Sequence, residues 1–129
     1  MSAAATGING VLQIGITVSD LERSTAFYKD KLGLAHLFTA NGMAFFDCGG
    51  VRLLVGLHGA GNPVAGGAIV YFRTDDIERT AAMLIDRGIT LDGEPHLVAR
   101  LPGKDVWLAE FRDPDRNALA LMSEVPTVA

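Results

Sequence analysis

The chain has 129 residues, of which 49% are hydrophobic, so it suits one globular domain and is a poor candidate for intrinsic disorder. Acidic residues exceed basic residues by 15 to 11 without long blocks of either sign, which argues against nucleic acid as a partner. Cys48 is the single cysteine, so an intrachain disulfide and CxxC metal or redox motifs are excluded.

Targeting signals are not recognisable in this sequence. No stretch approaches the apolar length of a membrane span, and residues 1–10 lack the basic start and apolar core of a signal peptide. We therefore expect a cytoplasmic protein with no membrane partner.

The first half of the sequence predicts one βαβββ unit. Residues 11–18 form a strand whose faces carry Leu12, Ile14, Ile16 and Val18 on one side and Val11, Gln13, Gly15 and Thr17 on the other. Ser19 and Glu22 read as a capping box that opens a helix, and Gly33 ends it. Strands near 34–39, 43–48 and 51–57 follow, joined by the hairpin dipeptides Asn41-Gly42 and Gly49-Gly50.

The second half predicts the same unit again after a Gly-rich connector at residues 58–67. A strand at 68–73 precedes a helix that opens with Asp75 in the capping role and runs to Arg87; strands near 89–91, 94–100, 105–111 and 117–123 follow. Five of twelve residues are identical between segments 19–30 and 75–86, which favours duplication over two unrelated amphipathic helices. We predict one α+β domain at residues 8–125, with modules at 8–58 and 67–125.

Two segments carry a family resemblance. The helix phrase Phe27-Tyr-Lys-Asp-Lys-Leu-Gly-Leu34 and the hairpin Asp113-Pro-Asp-Arg-Asn117 resemble the glyoxalase/bleomycin-resistance/dioxygenase family, the vicinal oxygen chelate superfamily. The resemblance implies two tandem βαβββ modules whose curved mixed sheets form a half-barrel cup, commonly completed in a homodimer, with a small-molecule ligand inside. The family hairpin usually has glycine where this chain has Arg116, so either the turn differs here or a strained backbone is tolerated.

The resemblance also implies positions for a metal, which in some family members is held by one residue from each of four strands. These positions fall on Gln13, on Leu53 or a neighbour, on Ile69 and on Ala120. One neutral amide cannot replace a set of imidazole and carboxylate donors, so we predict no metal and no cofactor. His36, His58 and His96 show no ligand spacing and are interpreted as solvated or hydrogen-bonded side chains.

Without a metal, ligand recognition would depend on shape, aromatic contact and a few polar groups. The candidate ligand-binding residues are Gln13, Phe45 (or Phe46 on the opposite face), Leu53, Ile69, Tyr71, Trp107, Glu110 and Ala120, with Arg73 as a further polar group. For Tyr71 and Trp107, ordinary packing is an equal alternative. Glu110 is the candidate catalytic residue if it faces the cavity in apolar surroundings, and solvent or an arginine is its other possible environment.

Three functions remain open on this sequence. The first is a metal-independent small-molecule-binding protein similar to the drug-sequestering branch of the family. The second is an enzyme of the superfamily, a lyase, isomerase or dioxygenase, with Glu110 acting beside Gln13 or Tyr71 or with a metal at residues other than those above. The third is a structural or regulatory protein whose cup is filled with side chains.

Overall fold

A computed structural model describes residues 7, 11–57 and 69–127 of the chain. The first module contains β1 (Gln13–Val18), α1 (Leu21–Ala26) with a continuing π-helical turn (Phe27–Lys31), β2 (Ala35–Ala40), β3 (Met43–Cys48) and β4 (Val51–Leu57). The second contains β5 (Val70–Arg73), α2 (Ile77–Asp86), β6 (His96–Leu101), β7 (Lys104–Arg112) and β8 (Ala118–Pro126). The predicted connector and His58 lie outside the described residues. Within the described ranges, no helix is both long and apolar enough to cross a bilayer.

Each module forms one four-stranded mixed sheet with the same topology. The strand orders are β1-β4-β3-β2 and β5-β8-β7-β6, with β1 parallel to β4, β5 parallel to β8 and the other neighbours antiparallel. The α+β fold and the two tandem βαβββ units are therefore confirmed. The segment at 89–91 is a correction, because Leu91 forms a single bridge to Phe111 rather than a strand.

The hairpin turns take the conformations that their sequences predict. Asn41 and Gly42 have φ of 54° and 78°, and Gly49 and Gly50 have φ of 66° and 95°. Positive φ at both central residues matches the right-handed twist of the flanking strands, so these dipeptides fix the β2–β3 and β3–β4 pairings.

Both helices begin one residue later than predicted. Asp20, not Ser19, is the N-cap of α1 and accepts a hydrogen bond from the Arg23 amide; Asp76, not Asp75, does the same for the Arg79 amide in α2. Asp20 and Asp76 occupy the same position in the two modules, and their shared role as helix caps explains why both are aspartate. An aspartate satisfies a free amide and places negative charge at the positive end of the helix.

One continuous core packs against the helix-facing side of both sheets. Its fully buried centre includes Tyr28, Phe46, Val55, Phe111 and Leu119, so both modules contribute. The opposite side of each sheet, which we call the open side, carries alternate strand residues and is largely exposed. The residues that alternate onto that open side are therefore the first place to look for a ligand site on the sheets.

The Asp113–Asn117 hairpin joins the two modules. Asp113 is 4% exposed, and its carboxylate accepts hydrogen bonds from the Tyr28 hydroxyl at 2.8 Å and from the Asp115 and Asn117 amides at 2.9 and 2.8 Å. Asn117 Nδ2 donates to Asp113 at 2.8 Å and to the Thr17 carbonyl at 3.0 Å. Burial and the neighbouring Asp113 charge raise the pKa of Tyr28, so its hydroxyl remains a donor.

Asp115 of the same hairpin makes a second set of polar contacts with the first module. Asp115 accepts hydrogen bonds from the amide and hydroxyl of Ser19, and its other carboxylate oxygen lies 3.4 Å from Arg23. Burial acts to raise the pKa of Asp115, but these Ser19 and Arg23 contacts outweigh it and hold the pKa below its usual value. Arg116 has φ of 68°, so the turn keeps a left-handed backbone although the residue is not glycine.

Candidate ligand-binding faces of the two sheets

The open side of the second sheet contains a pocket that unites four of the predicted site residues. Ile69, Tyr71, Glu110 and Ala120 line a cavity of about 470 Å³. Register explains the grouping, because Ala120 lies between Tyr71 on β5 and Glu110 on β7 in the hydrogen-bonded ladder. This pocket is built entirely from residues of the second module.

Side-chain size gives the pocket its shape. Ala120 is fully buried, whereas Ile69 and Tyr71 are each 51% exposed. A methyl group on the middle strand therefore forms a low floor between larger side chains on the neighbouring strands. An apolar hollow bounded by an aromatic ring is typical of a surface that packs against a flat ligand or a second protein surface.

A histidine and a glutamate form the polar side of this pocket. His96 Nε2 lies 3.4 Å from Glu110 Oε1, and both side chains are about half exposed. His96 Nδ1 lies 3.1 Å from the Glu94 carbonyl oxygen. Since a carbonyl oxygen can only accept, Nδ1 is the donor in this contact, and Nε2 is the ring nitrogen that faces Glu110.

Sequence reasoning placed Glu110 on this side but missed His96. The structure pairs Glu110 with a histidine and leaves it half exposed, which agrees with the solvent-facing alternative considered from sequence and not with an apolar environment or an arginine partner. Arg112 instead lies 3.8 Å from Asp92 at the rim. The irregularity in β6 between Leu97 and Ala99 shifts the register of that strand, and no local sequence signal predicts such a shift.

Gln13 and Phe45 lie on the open side of the first sheet. Gln13 Oε1 accepts a hydrogen bond from Arg52 Nε at 2.7 Å. The Arg52 guanidinium lies 5.4 Å from the centre of the Phe45 ring, which stacks on Phe38 at 4.4 Å. Phe46 is fully buried on the other side, so of the two phenylalanines Phe45 is the one available to a ligand. Arg52 and Phe38 were absent from the predicted set.

Leu53 and Trp107 do not lie on the open side with the other candidate residues. Leu53 pairs with Ile14 rather than with Gln13, faces the helices and is 1% exposed. Trp107 is partly buried and packs against the core, because it lies three residues from Glu110 and therefore on the other side of β7. Neither side chain shares a sheet face with the residues they were grouped with.

The positions that the family uses for a metal do not fit one. The Gln13 amide oxygen is already bonded to a guanidinium, and Arg52 takes the place opposite it on β4. Ile69 and Ala120 offer hydrocarbon. Among residues 11–57 and 69–127, no three His, Cys, Asp or Glu side chains come close enough together to hold an ion.

Comparison with known proteins identifies the family. The chain is 29% identical over 131 aligned residues to the uncharacterized protein YraH of Bacillus subtilis strain 168, with 86% of this chain and 95% of that protein covered. An integron cassette protein from the mobile metagenome of V. cholerae superposes with a TM-score of 0.77 at 24% identity, covering 93% of this chain and 98% of that one.

A second solved structure is also similar, and a family model matches most of the chain. A superfamily member from Sphaerobacter thermophilus has a TM-score of 0.71 at 26% identity, covering 91% and 98% of the two chains. The pattern of one family matches residues 10–121, which is most of the chain. The chain belongs to the Glyoxalase/Bleomycin resistance protein/Dioxygenase superfamily.

Proposed function

We propose that this protein binds a small apolar or aromatic molecule without a metal, on the open side of its second sheet. The observation that carries the proposal is the pocket of about 470 Å³ in which half-exposed Ile69 and Tyr71 flank the low floor at Ala120. Its volume lies within the range of ordinary small-molecule pockets. Hydrocarbon at Ile69 and Ala120, and the guanidinium beside Gln13, support binding that is independent of a metal.

A ligand screen read by thermal shift tests this proposal, because a molecule that binds the native state raises the melting temperature. Metal-free and metal-supplemented protein are to be screened in parallel. Tyr71→Ala is expected to weaken the best ligand roughly tenfold, since about 50 Å² of lost apolar contact corresponds to about 1.3 kcal/mol. Ile85→Ala is the control, because Ile85 is 57% exposed against 51% for Tyr71 but lies on α2.

The outcome decides between metal-free and metal-dependent binding. Equal ligand affinity in both preparations supports the proposal. A stoichiometric transition metal in protein purified without chelator, or ligand binding that requires added metal, would overturn it.

We propose further that a homodimer completes the binding surface. Phe38 is 47% exposed on the first sheet and Ile69 and Tyr71 are 51% exposed on the second, so apolar side chains stand open on both sheets of one chain. A second copy would cover them and close the pocket. Sedimentation analysis at micromolar concentration is expected to show a dimer, and a monomer at every concentration would refute the assembly.

An enzymatic role is the second candidate function, and the His96–Glu110 pair favours it. Because Nε2 faces Glu110, the pair can pass one proton between a ring nitrogen and a carboxylate at the pocket wall. Such a pair suits proton transfer on the bound molecule, for example at a carbon next to a carbonyl group. Deuterium uptake from D₂O into a bound ketone or keto acid, followed by NMR, tests it.

Glu110→Gln separates the two candidate functions. An enzyme should lose exchange by about 100-fold or more while it still binds the ligand. A binding protein should show no protein-dependent exchange before or after the substitution, and its affinity should change little.

A further inference from the structure

A second cavity, of about 620 Å³, lies where the two modules meet. The first module contributes β1, the end of β3 with its turn, β4 and the segment 32–35, and the second contributes β5, α2 and β8. We call it the seam cavity. It exists only while the modules are packed together, and its volume is that of a drug-sized pocket.

Most of the seam cavity wall is hydrocarbon. Its apolar lining residues include Ile14, Leu53, Val70, Phe72, Leu84 and Leu121. These side chains belong to the common core or pack against it, so the wall is rigid. Such a wall favours the hydrocarbon part of a ligand, such as an aromatic ring or a short chain.

The charged residues of the wall are unequal in sign. Arg52 comes from the first module and Arg73 from the second, and Asp47 is the one carboxylate among the lining residues. Arg73 forms no ion pair with any residue that the structure describes. Arg52 uses Nε for Gln13, which leaves the remaining N–H groups of its guanidinium.

The other polar groups of the wall do not cancel this excess. Asp47 accepts a bond from the Gly50 amide at 3.4 Å within its own hairpin. Burial, with the nearby Asp47 charge, raises the pKa of the Cys48 thiol, so the thiol adds no negative charge. Tyr71 and Thr80 add hydroxyl groups. The balance favours one anion at the end of an apolar body.

We propose that the seam cavity is a second binding site, which takes a small organic acid with an aromatic or apolar body and one carboxylate. Arg73 is the main carboxylate partner, because guanidinium and carboxylate match in charge and geometry. This site differs from the open-side pocket, with which it shares Tyr71 among its lining residues. Its ligand touches both modules and therefore stabilises their packing.

Calorimetry with 2-naphthoate, and with 2-naphthalenemethanol as its uncharged match, tests the proposal. We expect naphthoate to bind at least about tenfold more tightly than the alcohol, as hydrogen bonds between ionised groups require. Arg73→Gln should remove that preference. Arg79→Gln is the matched control, because it deletes the same charge from an exposed α2 residue that does not line the cavity.

Amide chemical shifts locate the probe and separate this proposal from the proposed function. Shifts around Gly33 and Leu84 that persist in Ile69→Ala support the seam cavity, since Ile69 lines only the open-side pocket of the two. Shifts confined to Glu110 and Ala120 would overturn the seam site and leave the open-side pocket intact. Equal binding of acid and alcohol, unchanged naphthoate affinity in Arg73→Gln, or no naphthoate binding at millimolar concentration would also overturn it.

Discussion

The hydrogen bond between Tyr28 and Asp113 should be one of the strongest single contacts that join the modules, and Tyr28→Phe tests this. The substitution removes one oxygen and preserves the ring, which packs against Phe27 and Phe46. A hydrogen bond to a charged group contributes about 1.5–3 kcal/mol. Asp113 keeps donors from Asp115 and Asn117, so we expect the lower part of this range, about 1.5–2 kcal/mol.

This free energy converts to a measurable shift in melting temperature. An unfolding entropy of about 2.1 cal/mol/K per residue over 129 residues gives about 0.27 kcal/mol/K. Tyr28→Phe should therefore melt about 5–8 °C below the parent protein in calorimetry. Urea unfolding should show a lower midpoint with an unchanged slope, because the surface exposed on unfolding is the same.

The other tyrosine supplies the control. Tyr71 is half exposed on the open side, so Tyr71→Phe should change the free energy of unfolding by less than about 0.5 kcal/mol. If the two variants unfold within about 0.5 kcal/mol of each other, the buried bond does not hold the modules together, and the reasoning fails.

Three further predictions concern charge, strain and capping. The pKa of Asp115 is lowered in the folded state, so its contribution to the free energy of unfolding is complete above the usual pKa of 3.8 and is lost as pH falls through the lower folded pKa. The unfolding curves of Asp115→Asn and of the parent protein should therefore differ at pH 7 and converge in acid. Arg116→Gly should stabilise the protein by about 0.5 kcal/mol in urea unfolding, since relief of the left-handed backbone exceeds the added unfolded-state entropy; a loss of stability would contradict this. Asp76→Ala should lower the free energy of unfolding by about 1 kcal/mol in the same assay, whereas Asp75→Ala should change it little. The reverse order would show that Asp75, the cap predicted from sequence, is the true N-cap.

Local signals in the sequence were sufficient for the fold. Alternating apolar residues predict strands, and Asn41-Gly42 predicts its hairpin because few other residue pairs adopt positive φ twice in succession. The N-caps were misplaced by one residue because Ser19 and Asp75 are also good caps. The Ser19 hydroxyl instead donates to Asp115 in the other module and accepts from the Arg23 guanidinium at 3.2 Å.

The binding face was harder to predict, because a slip of one residue moves a side chain through the sheet. Leu53 and Leu54 are adjacent, so alternation alone does not tell which of them faces the helices. In β7, by contrast, the sequence does indicate which residues face the helices. Trp107 and Glu110 are three residues apart and cannot share one face of a regular strand, so placing Glu110 on the open side already assigns Trp107 to the core.

Three of the residues that carry the family resemblance belong to the joint between the modules. Tyr28 belongs to the helix phrase, and its hydroxyl donates to Asp113 of the hairpin across the module boundary. Asn117 of the same hairpin donates to Asp113 and, across the boundary, to the Thr17 carbonyl. None of them lines the pocket around Ala120. A sequence can therefore keep every one of these contacts while Ile69 and Tyr71, which are half exposed and outside the joint, change with the ligand. For this reason the resemblance predicts the architecture closely and the ligand hardly at all.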